Sequence, residues 1–382
     1  MNDDPVELLK KLVSINSVNP DLVPGGAGEA AVADFCNAWL AERGFEVHRL
    51  EERPGRPSIV GIAKGSGGGR SLMFNGHYDT VSIDGYEGNA LDPVIDGDRL
   101  YGRGSFDMKG GVAAMMVAGA RAKAKAVAGD ILVACVADEE FASFGTEEVA
   151  RNFKADAAIV TEPSHLELTI AHKGFAWFEV VVEGRAAHGS RPELGIDAIA
   201  KAGKFLVALE EHDRALRADV RHWILKSGSV HASLIEGGAE WSSYPARCRI
   251  SLERRTIPGE TQRAVQAELE AIVESIHAAD PDFQAIVEPG LDRGPFEIPE
   301  SEPIVATLDA VATRALGRRP ARRGEPFWTD CAILKNAGIP CVMFGADGAG
   351  AHAKTEWTTL SSVRQLADIL TDTALEFCGS AA

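Results

Sequence analysis

Basic residues are scarce in this 382-residue chain: 39 Lys+Arg stand against 56 Asp+Glu, a formal net charge of −17. A protein that tracks nucleic-acid phosphates needs a basic face, and one that rests on an anionic bilayer needs a polybasic patch. Neither a nucleic-acid nor a membrane partner is therefore expected. Long apolar runs are also missing. The best of them, VAAMMVAGA at 112–120, falls far short of the roughly 20 residues that cross a bilayer. The start, MNDDPVELLKKL, lacks the apolar core of a secretory leader and reads as a helix. The six cysteines (Cys36, Cys135, Cys248, Cys331, Cys341, Cys378) are scattered singly and no C-x-x-C occurs, so neither a thiolate zinc finger nor a disulfide framework is signalled. A reducing cytoplasm is the expected compartment. No G-x-S-x-G elbow is present, which disfavours a serine hydrolase. No P-loop lysine or G-x-G-x-x-G after a strand supports nucleotide binding.

Hydrophobic residues make up 45% of the sequence, enough for two or three buried cores and too many for a disordered chain. In the first half, apolar runs bounded by turn residues recur as SIVGIA (58–63), SLMFN (71–75), ILVACVA (131–137) and AAIVT (157–161), with MKGGVAAMMVAGARAKA as a helix between them. Asp4 and Pro5 read as N-cap and first helical residue, and Gly44 as the residue closing the next helix. The tail resumes the alternation with a helix from Pro303, the strand PCVMFG and a closing helix. Near-continuous apolar strands alternating with helices predict an α/β domain with a buried, mostly parallel sheet. The middle differs: AWFEVVVEG alternates at period two, and the order of patterns is βαββαβ. This predicts a small ferredoxin-like domain at 174–290 inserted into a catalytic domain formed by 1–173 and 291–382.

Several apolar strands lead into side chains that bind metals. SLMFN runs into Gly76-His77-Tyr78-Asp79, ILVACVA into Asp138-Glu139-Glu140, AAIVT into Glu162-Pro163, and PCVMFG through a glycine-rich loop to His352. Asp107 sits where the loop GRGSFD enters a helix. Ligands of open α/β sheets collect beyond the carboxyl ends of the strands, so these places are expected to converge. Two imidazoles among carboxylates suit zinc or a similar divalent ion. His77, Asp107, Glu140, Glu162 and His352 would overfill one tetrahedral zinc, whereas two ions sharing one carboxylate would each keep an open position. Glu139 is then free to act as general base for a water between them, and Asp79, two residues from His77, can orient its second ring nitrogen. Other readings stand beside these: Asp107 as the N-cap of the following helix, Glu139 and Glu140 as a solvated pair, and the GADGAGAHA glycines as a turn or phosphate nest.

The stretches NGHYDTV, GRGSFDMKGG, DEEFASFGT, TEP, AAHGSRPELG, ERRTIPGE and GAHAKTEW, in this order from about residue 70 onward, resemble the motifs of the dinuclear zinc aminoacylase-type metallopeptidases. That superfamily includes acetylornithine deacetylase, succinyl-diaminopimelate desuccinylase and carboxypeptidase G-like enzymes. The resemblance implies a zinc-peptidase-like catalytic domain, a lid that makes a homodimer, and two zinc ions per chain, with cobalt or manganese as substitutes. It assigns His77 and Glu162 to one ion, Glu140 and His352 to the other, Asp107 as the bridge and Glu139 as the base, with a cis peptide after Asp107. It further implies that His188 of the lid helps to polarise the scissile carbonyl, that Arg255 meets a substrate carboxylate, and that Thr329 and Asp330 line the pocket. In relatives an asparagine often precedes a proline in the lid loop; here that stretch reads EWSSYPARC, with Ser242 near the place. The implied activity is hydrolysis of the amide of an N-acyl amino acid, leaning slightly towards the acetylornithine-deacetylase type, with an exopeptidase or dipeptidase as the alternative.

Overall fold

A computed structural model describes residues 4–379, so residues 1–3 and 380–382, part of the expected catalytic domain, lie outside it. The described chain divides into two compact units. The first comprises the chain up to Ile170, Ile298–Arg323 and the chain from Thr329 onward; the second comprises Ala171–Glu297 and Gly324–Trp328.

The first unit is built on a sheet whose strands follow the spatial order Glu46–Leu50, Ser58–Ala63, Ile131–Val136, Leu72–His77, Ala157–Val160, Cys341–Met343 and the first residues, 168–170, of the strand Leu168–His172. Only the central four (131–136, 72–77, 157–160 and 341–343) run parallel, and the flanking pairs are antiparallel. The expectation of a parallel core therefore holds at the centre, where every residue of these strands is buried. The helix Gly110–Ala124 packs against Leu360–Cys378 and against the sheet. Val112–Ala118 is entirely buried, which explains why that stretch shows no amphipathic pattern. Asp4 caps the first helix, accepting a hydrogen bond from the Val6 amide at 3.1 Å.

A second, small sheet of two- and three-residue strands joins Val94–Asp96, Arg99–Tyr101, Trp357–Thr359 and Gly348–Ala349. It ties the chain before Asp107 to the chain around His352, because Tyr101 pairs with Trp357. The turn Ser105–Lys109 that follows is not a regular helix start: Asp107 and Met108 have non-helical dihedrals and their peptide bond is cis. The next helix is capped at Lys109 with no side-chain bond, so Asp107 is not its N-cap. Its carboxylate is left for other partners.

The second unit has the βαββαβ order Gly174–Glu183, Ala198–Ala218, Ser229–Gly237, Arg247–Thr256, Gln262–Ala279, Gln284–Arg293. Its antiparallel sheet, in the order 229–237, 247–256, 174–183, 284–293, is that of a ferredoxin-like module. The period-two pattern is realised as Ala176, Phe178, Val180 and Val182 on one face, packed with Phe205, Leu209, Val265 and Leu269 of the two helices. Trp328 belongs to this unit, edge-on to His172 and to Phe175, each at 6.2 Å.

Close packing behind the central sheet needs glycine at 111. A Cβ there would come 2.1 Å from the Thr161 carbonyl oxygen, on backbone that cannot swing away. Alanine improves helix propensity by only about 1 kcal/mol, whereas overpacking a tight core costs about 1–3 kcal/mol or more. Gly111→Ala is therefore expected to lower stability in urea unfolding. A gain would show that the two elements are not pressed together.

A candidate metal centre at the ends of the parallel strands

The parallel strands deliver their carboxyl ends to one edge of the first unit. His77 is the last residue of its strand, Glu139 and Glu140 follow the strand ending at Val136, and Glu162 lies two residues past the strand ending at Val160. Around His77 Nε2 stand Asp107 Oδ1 at 3.3 Å, Glu162 Oε1 at 3.5 Å and Glu139 Oε2 at 3.8 Å. His352 Nε2 meets Glu140 Oε2 at 2.9 Å and Asp107 Oδ2 at 3.4 Å. Asp107 thus turns one oxygen to each imidazole. His352 has φ +60, in the left-handed region, and its side chain is 58% exposed where that of His77 is 1%. The cluster is buried at one end and open at the other.

These neighbours crowd negative charge into a dry place. Burial pushes the Glu139 and Glu162 carboxyls well above the usual carboxylate range, Glu139 further through the nearby Glu162, and Glu162 further through Asp107, Asp330 and Glu140, against the pull of His77. Burial, with the nearby Asp107, pushes Glu140 up to about 7. Burial opposes ionisation of Asp107 as well, but His352 and His77 hold its carboxyl well below the ordinary value. Burial likewise penalises the His77 imidazolium, yet Glu162, Asp107, Asp79 and Glu139 hold its pKa well above normal. His352 rises to about 10 beside Asp107 and Glu140.

The donor set fits a divalent cation on two grounds. His77 Nε2 is buried with no hydrogen-bond partner, yet lies within ion-pairing distance of three carboxylates. One donor atom from each of His77, Glu139 and Glu162, and one from each of His77, Asp107 and Glu140, lie within 4.8 Å of one another. Buried carboxylates this close must take up protons or share a cation.

The supports behind these side chains are as specific as the cluster. Asp79 is fully buried. Its Oδ1 accepts from the Glu139 amide at 3.2 Å and its Oδ2 from the Glu140 amide at 3.2 Å. His77 Nδ1 lies 3.1 Å from the Asp79 carbonyl oxygen and 3.5 Å from its carboxylate. Asp79 therefore orients His77 chiefly through its main chain, and spends its carboxylate on the acidic pair.

Glu356, the acid of GAHAKTEW, is the clamp of the Asp107 turn. Fully buried, it accepts from the amides of Gly104 (2.9 Å), Phe106 (2.9 Å) and Asp107 (3.0 Å) and from Arg103 Nη1 at 2.8 Å. Nothing in the sequence separates it from a surface glutamate. Thr329 and Asp330 are also buried. Thr329 Oγ1 accepts from the Cys331 amide at 3.3 Å, and Asp330 accepts from Thr146 Oγ1 at 2.6 Å. Burial pushes Asp330 up to about 6.

His188 and Arg255 belong to the second unit. His188 is exposed, with Nδ1 2.8 Å from Ser190 Oγ, and pairs in a β-bridge with Ser243. Arg255 donates from Nε to Glu253 at 2.8 Å and lies over the Phe175 ring at 5.5 Å. No helix among the described residues is long and apolar enough to cross a membrane.

Comparison with known proteins accords with this architecture. Residues 73–376 match the profile of peptidase family M20/M25/M40. The chain is 30% identical to the acetylornithine deacetylase of Myxococcus xanthus, over 91% of this chain and 92% of that one. It is 27% identical to the N-formyl-4-amino-5-aminomethyl-2-methylpyrimidine deformylase of Bacillus subtilis, over 98% and 95% of the two. Its fold is similar to a solved Bacillus subtilis protein described as a dinuclear metal binding peptidase of family M20, with a TM-score of 0.76, 16% identity and coverage of 99% and 98%. The chain belongs to peptidase family M20/M25/M40 and is a hydrolase of amide bonds.

Replacing Glu356 by glutamine keeps its shape but leaves the buried Arg103 without its counter-charge. Glu356→Gln is expected to cost about 3–5 kcal/mol in urea unfolding. Wild-type stability in that variant would remove the clamp role.

Proposed function

We propose that the protein is a two-metal deacylase that hydrolyses the amide of an N-acyl amino acid. The observation that carries this reading is the two-sided placement of Asp107, one oxygen 3.3 Å from His77 Nε2 and the other 3.4 Å from His352 Nε2. One carboxylate serving two imidazoles is the arrangement that two neighbouring cations require. His77 and Glu162 would hold one ion, His352 and Glu140 the other, with Asp107 shared. Imidazole and carboxylate donors suit zinc, with cobalt and manganese as the chemical substitutes. When bound, the cations would supply Lewis acidity to a substrate carbonyl and to water.

Glu139 is the residue left over. It stands furthest of the three carboxylates from His77 Nε2 and is 12% exposed where Glu162 is 6%. It would take the proton from the attacking water and pass it to the leaving amine, while the Asp79 carboxylate fixes its amide. His188 would donate a hydrogen bond to the carbonyl oxygen as charge develops there. The guanidinium of Arg255, whose Nε is already committed to Glu253, would present its remaining N–H groups to a substrate carboxylate. Thr329 and Asp330 would act from behind the pocket wall, by holding the turn that Thr146 meets.

The curated relatives' names, deacetylase and deformylase, favour removal of a small acyl group over peptide cleavage. A homodimer through the second unit is supported by its edge strand Ser229–Gly237, which exposes Leu234 (65%) and Ile235 (53%) beside the exposed Ile199 and Val207 of the neighbouring helix. Six free, buried cysteines suit a cytoplasmic setting.

A panel of N-acetyl, N-formyl, N-succinyl and N-aromatic acyl amino acids beside dipeptides tests the reaction class. Turnover is expected on the acyl amino acids, lost on chelation and regained with zinc; dipeptides as the better substrates would favour an exopeptidase. Glu139→Gln is expected to reduce kcat by about 100-fold or more while elemental analysis still finds both ions. Asp107→Asn is expected to lose metal and activity together, and a fully loaded Asn variant would refute the shared carboxylate.

A further inference from the structure

The segment before residue 73 lies outside the family match, yet the loop 15–22 reaches the Tyr78–Thr80 turn, Asp138 and Lys109 behind the cluster. Ser17 Oγ donates to the Tyr78 carbonyl at 2.6 Å. Asn19 N donates to the Thr80 carbonyl at 2.9 Å, and Thr80 N to the Ser17 carbonyl at 3.0 Å. The Ile15 carbonyl accepts from the buried Lys109 Nζ at 2.9 Å, two residues past Asp107. At its centre Asn19 is fully buried and fully used. Its amide nitrogen donates to Asp79 Oδ2 at 2.8 Å and to Asp138 Oδ1 at 3.0 Å. Its oxygen accepts from the amides of Asp21 (2.9 Å) and Leu22 (3.2 Å) and from Arg56 Nη2 at 3.2 Å. Arg56 in turn is ion-paired with Glu29, with Asp21 and with Asp138 Oδ1, the last at 3.0 Å.

We infer that Asn19 is a positioning residue for the metal centre, acting through Asp79 to fix the Glu139–Glu140 turn and His77, and that the N-terminal loop is thereby part of the site's scaffold. The chemistry requires an amide here. Asp79 Oδ2 already accepts from the Glu140 amide, and Asp138, next to Glu139, carries a second buried carboxylate close by. Only a neutral side chain with two N–H donors can bond both carboxylates at once while its oxygen anchors the loop. An aspartate would add a third negative charge, and an apolar residue would leave Asp79 free to turn away from the Glu140 amide. An outer partner of this kind typically sets metal affinity by tenfold to a hundredfold.

The inference rests on the two-metal reading above, and its test separates the two. Zinc affinity is measured by competition with a chromophoric chelator for the full-length wild type and for Asn19→Leu, with kcat and KM on the best acyl substrate. Asn19→Leu is expected to bind zinc about tenfold to a hundredfold more weakly, with kcat reduced and KM within about twofold. A residue that only holds the fold together would lower the thermal midpoint of the chelated protein and leave zinc affinity within twofold of wild type; that result overturns the inference. If the variant does not fold, amide hydrogen exchange on the wild type decides. Coupling is reciprocal, so zinc added to the chelated protein must slow exchange at Asn19, Asp21 and Leu22. Unchanged exchange there, with zinc bound, also overturns it. A wild-type chain that takes up no zinc contradicts the two-metal reading first and this inference with it.

Discussion

Everything at the strand ends is shaped by the need to bury several carboxylates around two imidazoles. Two unit charges about 4 Å apart repel by about 4 kcal/mol at an effective dielectric of 20, and Glu139, Glu140, Glu162 and Asp107 all lie within reach of His77 or His352. Two protonated imidazoles do not balance that charge, which is why burial drives Glu139, Glu140 and Glu162 towards their neutral forms. A pair of divalent cations reverses the sign of the dominant interaction. The fold stores, in effect, an electrostatic deficit that metal binding would relieve, and on the reading proposed above the reactivity of the site would follow from the same deficit.

Holding such a deficit in place takes rigid backbone. Parallel strands aim His77, the Glu139–Glu140 turn and Glu162 at one point, but Asp107 and His352 come from loops. The small sheet and the Glu356 carboxylate supply for those loops what the large sheet supplies for the rest: Tyr101 paired with Trp357, and amides on both sides of the turn bound to one buried anion. Asp79 does the same for the acidic turn. Three buried carboxylates that would not themselves bind metal or substrate (Asp79, Glu356 and Asp138) each hold backbone or side chains beside a residue that would.

Much of this was legible in the residue order. Apolar strands ending in His-x-Asp, Asp-Glu-Glu and Glu-Pro could be placed at one sheet edge by topology alone, and the structure gathers Asp107, Glu139, Glu140 and Glu162 around His77, with His352 against Asp107 and Glu140. The βαββαβ order of the second unit was equally readable, because Ala176, Phe178, Val180 and Val182 alternate cleanly. Other features left no local trace. Strands of two or three residues, such as Gly348–Ala349 and Arg99–Tyr101, are too short for any periodicity. Local pattern leaves open whether Asp107 also caps the following helix, and the irregular turn at Ser105–Lys109 shows that it does not. Glu356, Asn19 and Arg56 look like ordinary polar residues until burial reveals what they hold. Antiparallel flanks on a parallel core are likewise set by long-range pairing, which local pattern does not encode.

The central claim is that Asp107 is shared by two cations. The most direct measurement is an anomalous-scattering map of zinc-soaked crystals. Two peaks about 3.5–4 Å apart are expected, one on each side of the Asp107 carboxylate, beside His77 and His352. A single peak, or a pair of peaks elsewhere in the chain, would contradict it.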